Sequence, residues 1–252
     1  RGLSREVHRR LHDGAGVADA PDDERVRGLN TAAALALATY EPASIHRSAT
    51  EAVDAASAVD ADGPLALALA HRALAGILSG LSTAEQVTDD VADAIRHAEL
   101  CHHPSTQAHV LQFAGAAVLH GRSIDDGHRL LQQSVEVCEA NDLAFHLPAA
   151  HGGAQAWLPW SARLDETREH ARRAMELSRL LGRPGWEAVG LTGLAACDVL
   201  QGDHPSAQRR RADARTALRP HHLEGTHYGM WWRHWRSLAA YASGDLEAAR
   251  ST

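Results

Sequence analysis

The sequence contains no lysine: all 25 basic residues are arginine, and asparagine occurs only at Asn30 and Asn141. A phosphate-binding loop of the Walker type is therefore excluded from this stretch, because that loop places a lysine on the nucleotide phosphates. Aromatic residues make up 4% of the chain, so a core drawn from its 44% hydrophobic content consists mostly of Ala, Leu and Val. Ala and Leu are the best helix formers, whereas strand-favouring β-branched and aromatic residues are scarce outside a few clusters. Almost no sheet is expected.

Other absences narrow the function classes. No apolar run approaches the roughly 18 residues needed to span a membrane, and no secretory signal pattern is present. A formal net charge of −7 argues against a dedicated nucleic-acid surface, which needs clustered positive charge to neutralise phosphates. Three cysteines far apart, Cys101, Cys138 and Cys197, suggest free thiols and a cytoplasmic setting. The chain begins with Arg1 and stops at "GDLEAARST", which reads as a helix cut short, so a piece of a longer polypeptide is expected.

What is present is a repeat. Pro64, Pro104 and Pro184 lie whole multiples of a forty-residue period apart. Ala75, Gly115 and Ala195 share one phase of that period, with Gln155 the odd member. Val87, Gly127, Thr167 and Ala207 share a second, and Ala94, Ser134, Ala174 and Ala214 a third. The second half of each unit carries apolar or small residues at i, i+4, i+7, i+8 and i+11, one face of an α-helix: Val87, Val91, Ala94, Ile95 and Ala98 are the first such set. Gly127, Leu131, Ser134, Val135 and Cys138 are the next, then Thr167, Ala171, Ala174, Met175 and Ser178. The unit at 207 departs by placing Arg211 and Arg215 on that face, which predicts a rotated or more exposed helix.

Gly80, Gly121, Gly202 and Gly244 punctuate the halves, and the prolines sit where a helix begins, a position that tolerates a missing N–H. Each unit thus reads as helix, turn, helix, turn. Small residues recur where two antiparallel helices cross closely, because a larger side chain would force the axes apart.

The stretch "LTGLAACDVLQGDHPSAQRRRADA", residues 191–214, resembles the tetratricopeptide repeat through Leu194, Ala195, Gly202, Asp203, Ala207 and Ala214. The forty-residue period is longer than the standard unit. It is similar to the variant in the superhelical domain of the maltose-regulon activator and of large ATP-binding LuxR-type regulators, in actinobacterial antibiotic regulators and in some multidomain nucleotide cyclases. The last repeat, "MWWRHWRSLAAYASGDLEAAR", is very like those actinobacterial repeats. The resemblance covers roughly residues 22–252. It implies an all-α, tetratricopeptide-like right-handed superhelix of about six helix pairs, the last truncated, after a leading helix and linker at 1–21. It further implies a regulatory domain of a bacterial signal-transduction ATPase or transcription regulator. Such a domain binds a protein or peptide partner, or a small effector, on the concave face lined by first helices. Carried over by position, that face nominates Arg72, His109, Gln112, Thr192, Trp232 and Trp235. The alternative is a passive protein–protein scaffold without a small-molecule pocket.

Three further clusters hold residue types capable of chemistry. "RHAELCHHP", residues 96–104, sets His97 and Cys101 at i and i+4, but the paired-ligand motifs of zinc sites are missing, and histidines near a helix C-terminus also satisfy carbonyls. His221, His222 and His227 adjoin Tyr228, Trp231, Trp232, Trp235 and Leu238, a helical stripe that reads as core or as the wall of a groove; Trp157 and Trp160 carry the same two readings. "QRRRADAR", residues 208–215, is a basic run whose default reading is a solvated face. No nucleophile elbow, paired-carboxylate motif or phosphate cradle is found, so no enzyme, cofactor, metal, direct nucleic-acid contact or membrane contact is expected, while self-association is open.

Overall fold

The computed structural model describes residues 22–39, 41–155, 158, 163–223, 226 and 228. Among them every regular element is helical. Ten α-helices run in chain order: α1 (Asp22–Thr39), α2 (Pro42–Ser57), α3 (Asp62–Ser79), α4 (Ala84–Leu100), α5 (Pro104–Gly121), α6 (Ile124–Ala140), α7 (Leu147–Ala154), α8 (Leu164–Leu180), α9 (Pro184–Leu200) and α10 (His204–Leu218). A 3-10 turn, Arg219–His221, follows. The proposed linker at 1–21 and the stripe beyond Tyr228 lie outside the described residues.

The helices pair as α1 with α2, α3 with α4, α5 with α6, α7 with α8, and α9 with α10, and the chain divides into two compact units, residues 1–141 and 142–252. Among the described residues the first unit holds three pairs and the second two. From α4 onward, the second helices start at residues 84, 124, 164 and 204, so the forty-residue cadence is realised without slippage.

Local chemistry explains the boundaries. Thr83 closes a capping box on α4: its side chain accepts from the Gln86 N–H while the Gln86 side chain accepts from the Thr83 N–H. Ser123 and Asp203 likewise accept from Asp126 N (3.2 Å) and Ser206 N (3.1 Å) to start α6 and α10. Pro42, Pro104 and Pro184 occupy the first position of α2, α5 and α9, where no intrahelical N–H bond is lost.

At the ends, Gly80 and Gly202 take positive φ (68° and 81°) after first helices. The ends of second helices hold a second left-handed series: Asp60, His102, Asp142, Gly182 and His222, the last four in strict forty-residue register. Only one of those five is glycine, which is why a scan for glycine turns passes over them. Asp, Asn and His are the non-glycine residues that enter this region most readily.

The faces read from the sequence point inward. The residues at i, i+4, i+7, i+8 and i+11 of α4, α6 and α8 are buried, with Ile95 and Met175 half-buried. Their polar members are satisfied: Ser134 Oγ donates to Ala108 O (2.7 Å) across α5 and α6, and Thr167 and Ser178 donate to carbonyls one turn back. On α10 the buried residues are Ala207, Ala214 and Leu218, while Arg215 is exposed and Arg211 half-buried. Leu218 takes the i+11 place, so the helix keeps its small-residue contacts and leaves Arg215 exposed and Arg211 half-buried.

Backbones approach closely between α5 and α6. A Cβ on Gly115 would lie 2.9 Å from Gly127 O, and one on Gly127 would lie 2.7 Å from both Gly115 O and Leu119 N. The second unit repeats this between α8 and α9, where a Cβ on Gly190 would lie 2.6 Å from Ala171 O. The odd member Gln155 is accommodated by a glycine opposite: its side chain fills the space where Gly193 would carry a Cβ, and its Nε2 donates to Val189 O (2.8 Å). Gly127→Ala should therefore destabilise the protein by about 1–3 kcal/mol although alanine favours helix, because backbone and not a side-chain tip must move. Urea unfolding checks this, and an unchanged midpoint would show that the axes part freely.

Candidate functional site

Arg72, Gln112 and Thr192 occupy one position of the repeat, and the structure treats them differently. Arg72 on α3 makes a two-pronged pair with the buried Asp90 of α4, Nε to Oδ2 at 2.9 Å and Nη2 to Oδ1 at 2.6 Å. A carboxylate taken out of water needs such a partner. The hydrogen bond to Asp90 is the main influence raising the Arg72 pKa. The side chain is still 24% exposed, so the guanidinium is fixed in orientation while part of it meets solvent. Gln112 and His109, on one face of α5, are half-buried.

His109 belongs to a ring cluster. It stacks on Phe113 at 4.7 Å, and His71 of α3 meets both rings edge-on, at 5.7 Å from His109 and 4.7 Å from Phe113. His71 is buried, and neither ring nitrogen has a hydrogen-bond partner among the described residues. Burial pushes its pKa down to about 3, with the charge of His109 a lesser cause, so the ring is neutral.

In the second unit the same repeat position is closed. At residue 152 it is Gly, and a Cβ there would strike the Trp186 ring at 2.6 Å. Thr192 is 1% exposed, and its hydroxyl donates to Val189 O (2.8 Å), so it has no surface to offer a ligand. Trp186 in turn meets Tyr228 edge-on at 5.3 Å, and Tyr228 covers Gly185, a packing role for the first residue of the aromatic stripe. Trp157, Trp160, Trp232 and Trp235 lie outside the described residues. Of the six nominated positions, Arg72, His109 and Gln112 fall on neighbouring first helices of one unit and retain some exposure.

The other clusters have structural occupations. His97 Nδ1 bonds Asp62 Oδ1 at 2.6 Å, Cys101 Sγ donates to Ala98 O, and His103 Nδ1 accepts from Thr106 N at the start of α5. Among the described residues no three His, Cys, Asp or Glu side chains are arranged to hold a metal ion. In the basic run Arg210 reaches Asp198 Oδ2 at 2.7 Å, and Arg168 of α8 approaches Asp198 Oδ1 at 3.4 Å, so one buried carboxylate ties α8, α9 and α10 together. A buried imidazole pair lies between α7 and α8, with His151 Nδ1 2.9 Å from His170 Nδ1. Burial, then the charges of His170 and Arg173, lower the His151 pKa to about 4.

One feature escaped the sequence reading: a groove of about 430 Å³ framed by α4, α5 and α6. Val137 and Ala140 on α6 lie off the inward face of that helix, and an apolar pair beside a polar surface was the available signal.

No protein-family model matches the chain, and no curated protein matches it. Solved structures do resemble it. Aspartyl phosphate phosphatase F from Bacillus subtilis superposes with a TM-score of 0.66 at 12% identity, over 99% of this chain and 62% of that one. A Rap protein complexed with Competence and Sporulation Factor gives 0.59 at 12% identity, over 89% of this chain and 66% of that one. This chain thus spans about 62% of the length of the first of these. At such identity the likeness is one of fold, an all-α, tetratricopeptide-like array of helix pairs. No helix among the described residues is long and apolar enough to cross a membrane.

The neutral histidines make stability depend on acid. A histidine whose folded pKa lies below its unfolded value of 6.5 binds more protons when unfolded, so stability is full above 6.5 and is lost as pH falls toward the folded value. For His71 the loss between pH 6.5 and about 4.5 is about 2–3 kcal/mol. His71→Leu should flatten the dependence of unfolding free energy on pH over that window by this amount, measured against the unsubstituted protein; parallel pH profiles would show that His71 is protonated without cost.

Proposed function

We propose that the chain is a non-catalytic regulatory and interaction domain that binds a protein or peptide segment, or a small effector, on the first-helix face of its residue 1–141 unit. The observation that carries this reading is the Arg72–Asp90 pair. Held at two points by a buried carboxylate, the Arg72 guanidinium pays little additional ordering entropy on meeting a ligand carboxylate or carbonyl. Gln112, forty residues on in the next first helix, places a half-buried amide on the same face, one turn from the half-buried His109 that stacks on Phe113. The Rap structure solved with Competence and Sporulation Factor supports a binding role for this kind of fold.

Within the wider reading, this domain sits beside the ATPase or output domain of a bacterial signal-transduction or transcription regulator of the LuxR type. Its ligand favours one curvature of the array over another and so biases the attached domain; the ligand shifts that equilibrium only by its differential affinity for the two forms. The residue 1–21 segment joins the array to such a neighbour, and residues 22–252 form the array.

Calorimetric titration of the chain with sugars and with short acidic peptides tests the binding face. A bound compound should lose about fivefold or more in affinity with Gln112→Ala, and a similar amount with Arg72→Lys, which keeps a charge for Asp90 but loses the planar fork. Affinity indifferent to both substitutions places the ligand elsewhere and overturns the assignment of this face.

A further inference from the structure

The groove between α4 and α6 lies on different residues from the Arg72 face, and it has a chemistry of its own. Its floor is apolar, with Ile95 from α4, Leu111 from α5 and Val137 from α6 all half-buried. Its walls end in carboxylates: Glu99 on α4 and Glu136 on α6, both exposed. No Arg or His lines it. The arginines on the flanking turns have carboxylates of their own, Arg96 with Asp93 at 2.9 Å and Arg129 with Asp126 at 3.2 Å. Among the lining amides, Asn141 donates to Val137 O, which leaves Gln107 and Gln133 as adaptable polar contacts. The groove is therefore an apolar trough with negative charge on both rims and no cation in its lining.

Its dimensions select the kind of ligand. The α6 wall runs from Gln133 to Asn141, about 12 Å at the helical rise, or two turns. That length matches two or three apolar side chains at i, i+4 and i+7 of a helix laid along it. We propose that this groove docks a short amphipathic helix of a partner protein, whose apolar ridge lies on Ile95, Leu111 and Val137 and whose flanking Lys or Arg side chains meet Glu99 and Glu136. Charge on opposite walls favours a helix with basic residues on both sides of its apolar ridge and rejects an acidic one, since like charges across an interface are unfavourable.

A displayed library of random peptides about twelve residues long, selected against the whole chain, tests this. The expected result is enrichment of sequences with two or three large apolar residues at helical spacing, flanked by Lys or Arg. Binding of the enriched peptides should fall about tenfold or more with the double substitution Glu99→Lys and Glu136→Lys, and should weaken with added salt. Ala140→Trp, at an exposed lining position, should block the trough sterically, and unchanged circular dichroism of both variants shows that the fold is retained. Enrichment of acidic or patternless peptides, no enrichment, or binding indifferent to both variants overturns the proposal. So does binding at this groove of dodecyltrimethylammonium, used as a small organic-cation probe, when no peptide binds there. Acidic peptides that are enriched and lose affinity with Gln112→Ala report on the Arg72 face, so failure of the groove proposal and failure of that reading are told apart by which substitutions the peptides respond to.

Discussion

Everything in this protein depends on how closely paired helices approach. At Gly115 and Gly127 the backbones of α5 and α6 come so near that neither residue has room for a methyl group, and Gly190 repeats the condition against Ala171. A chain with 4% aromatics cannot hold its helices mainly with large interlocking rings. It substitutes many short contacts made by alanine, glycine and serine, each weak alone but numerous because the axes are near. The cost is intolerance: a lattice of minimal side chains has no flexible tips to move when one atom is added.

That same economy made the second helices legible. A contact repeated by small residues at fixed phases leaves a mark in one dimension, and 87, 94 and their companions at forty-residue spacing placed α4, α6, α8 and α10 correctly. Features set by a neighbour in space left no such mark. Gln155 looks anomalous until Gly193 is seen opposite it, and Gly152 looks like a helix weakness until Trp186 fills its place. Arg72 read as a ligand contact, yet half its meaning lies in Asp90, eighteen residues away on the next helix. Thr192 shares the Arg72 phase, but the packing of the second unit closes over it. The left-handed residues ending the second helices follow the repeat faithfully, and they escaped because His and Asp stand where glycine was sought.

The polar chemistry follows from the same close packing. Narrow spaces between helices admit few solvent molecules, so Asp90 and Asp198 are held by arginines whose planar forks match a carboxylate. Histidines caught inside, His71 and His151, remain neutral because burial takes their charged form out of water and neighbouring His109, or His170 and Arg173, disfavour it further. Exposed charge and half-buried apolar surface then fall to the remaining helix faces, where the Arg72 face and the acid-rimmed trough are the two surfaces proposed to meet partners. A repeat array separates these roles naturally, since the inward face of each helix is committed to its neighbours and the remaining faces vary without disturbing the stack.

The most direct measurement is a volume series at Ala94, a buried third-phase position of α4. Unfolding free energies of Ala94→Ser, Ala94→Val and Ala94→Leu should fall steadily as the side chain grows, with leucine worst by about 2–3 kcal/mol or more even though it is among the best helix formers after alanine. A leucine variant as stable as the parent would contradict the account, because it would mean that the helices are not held at a distance set by their smallest residues.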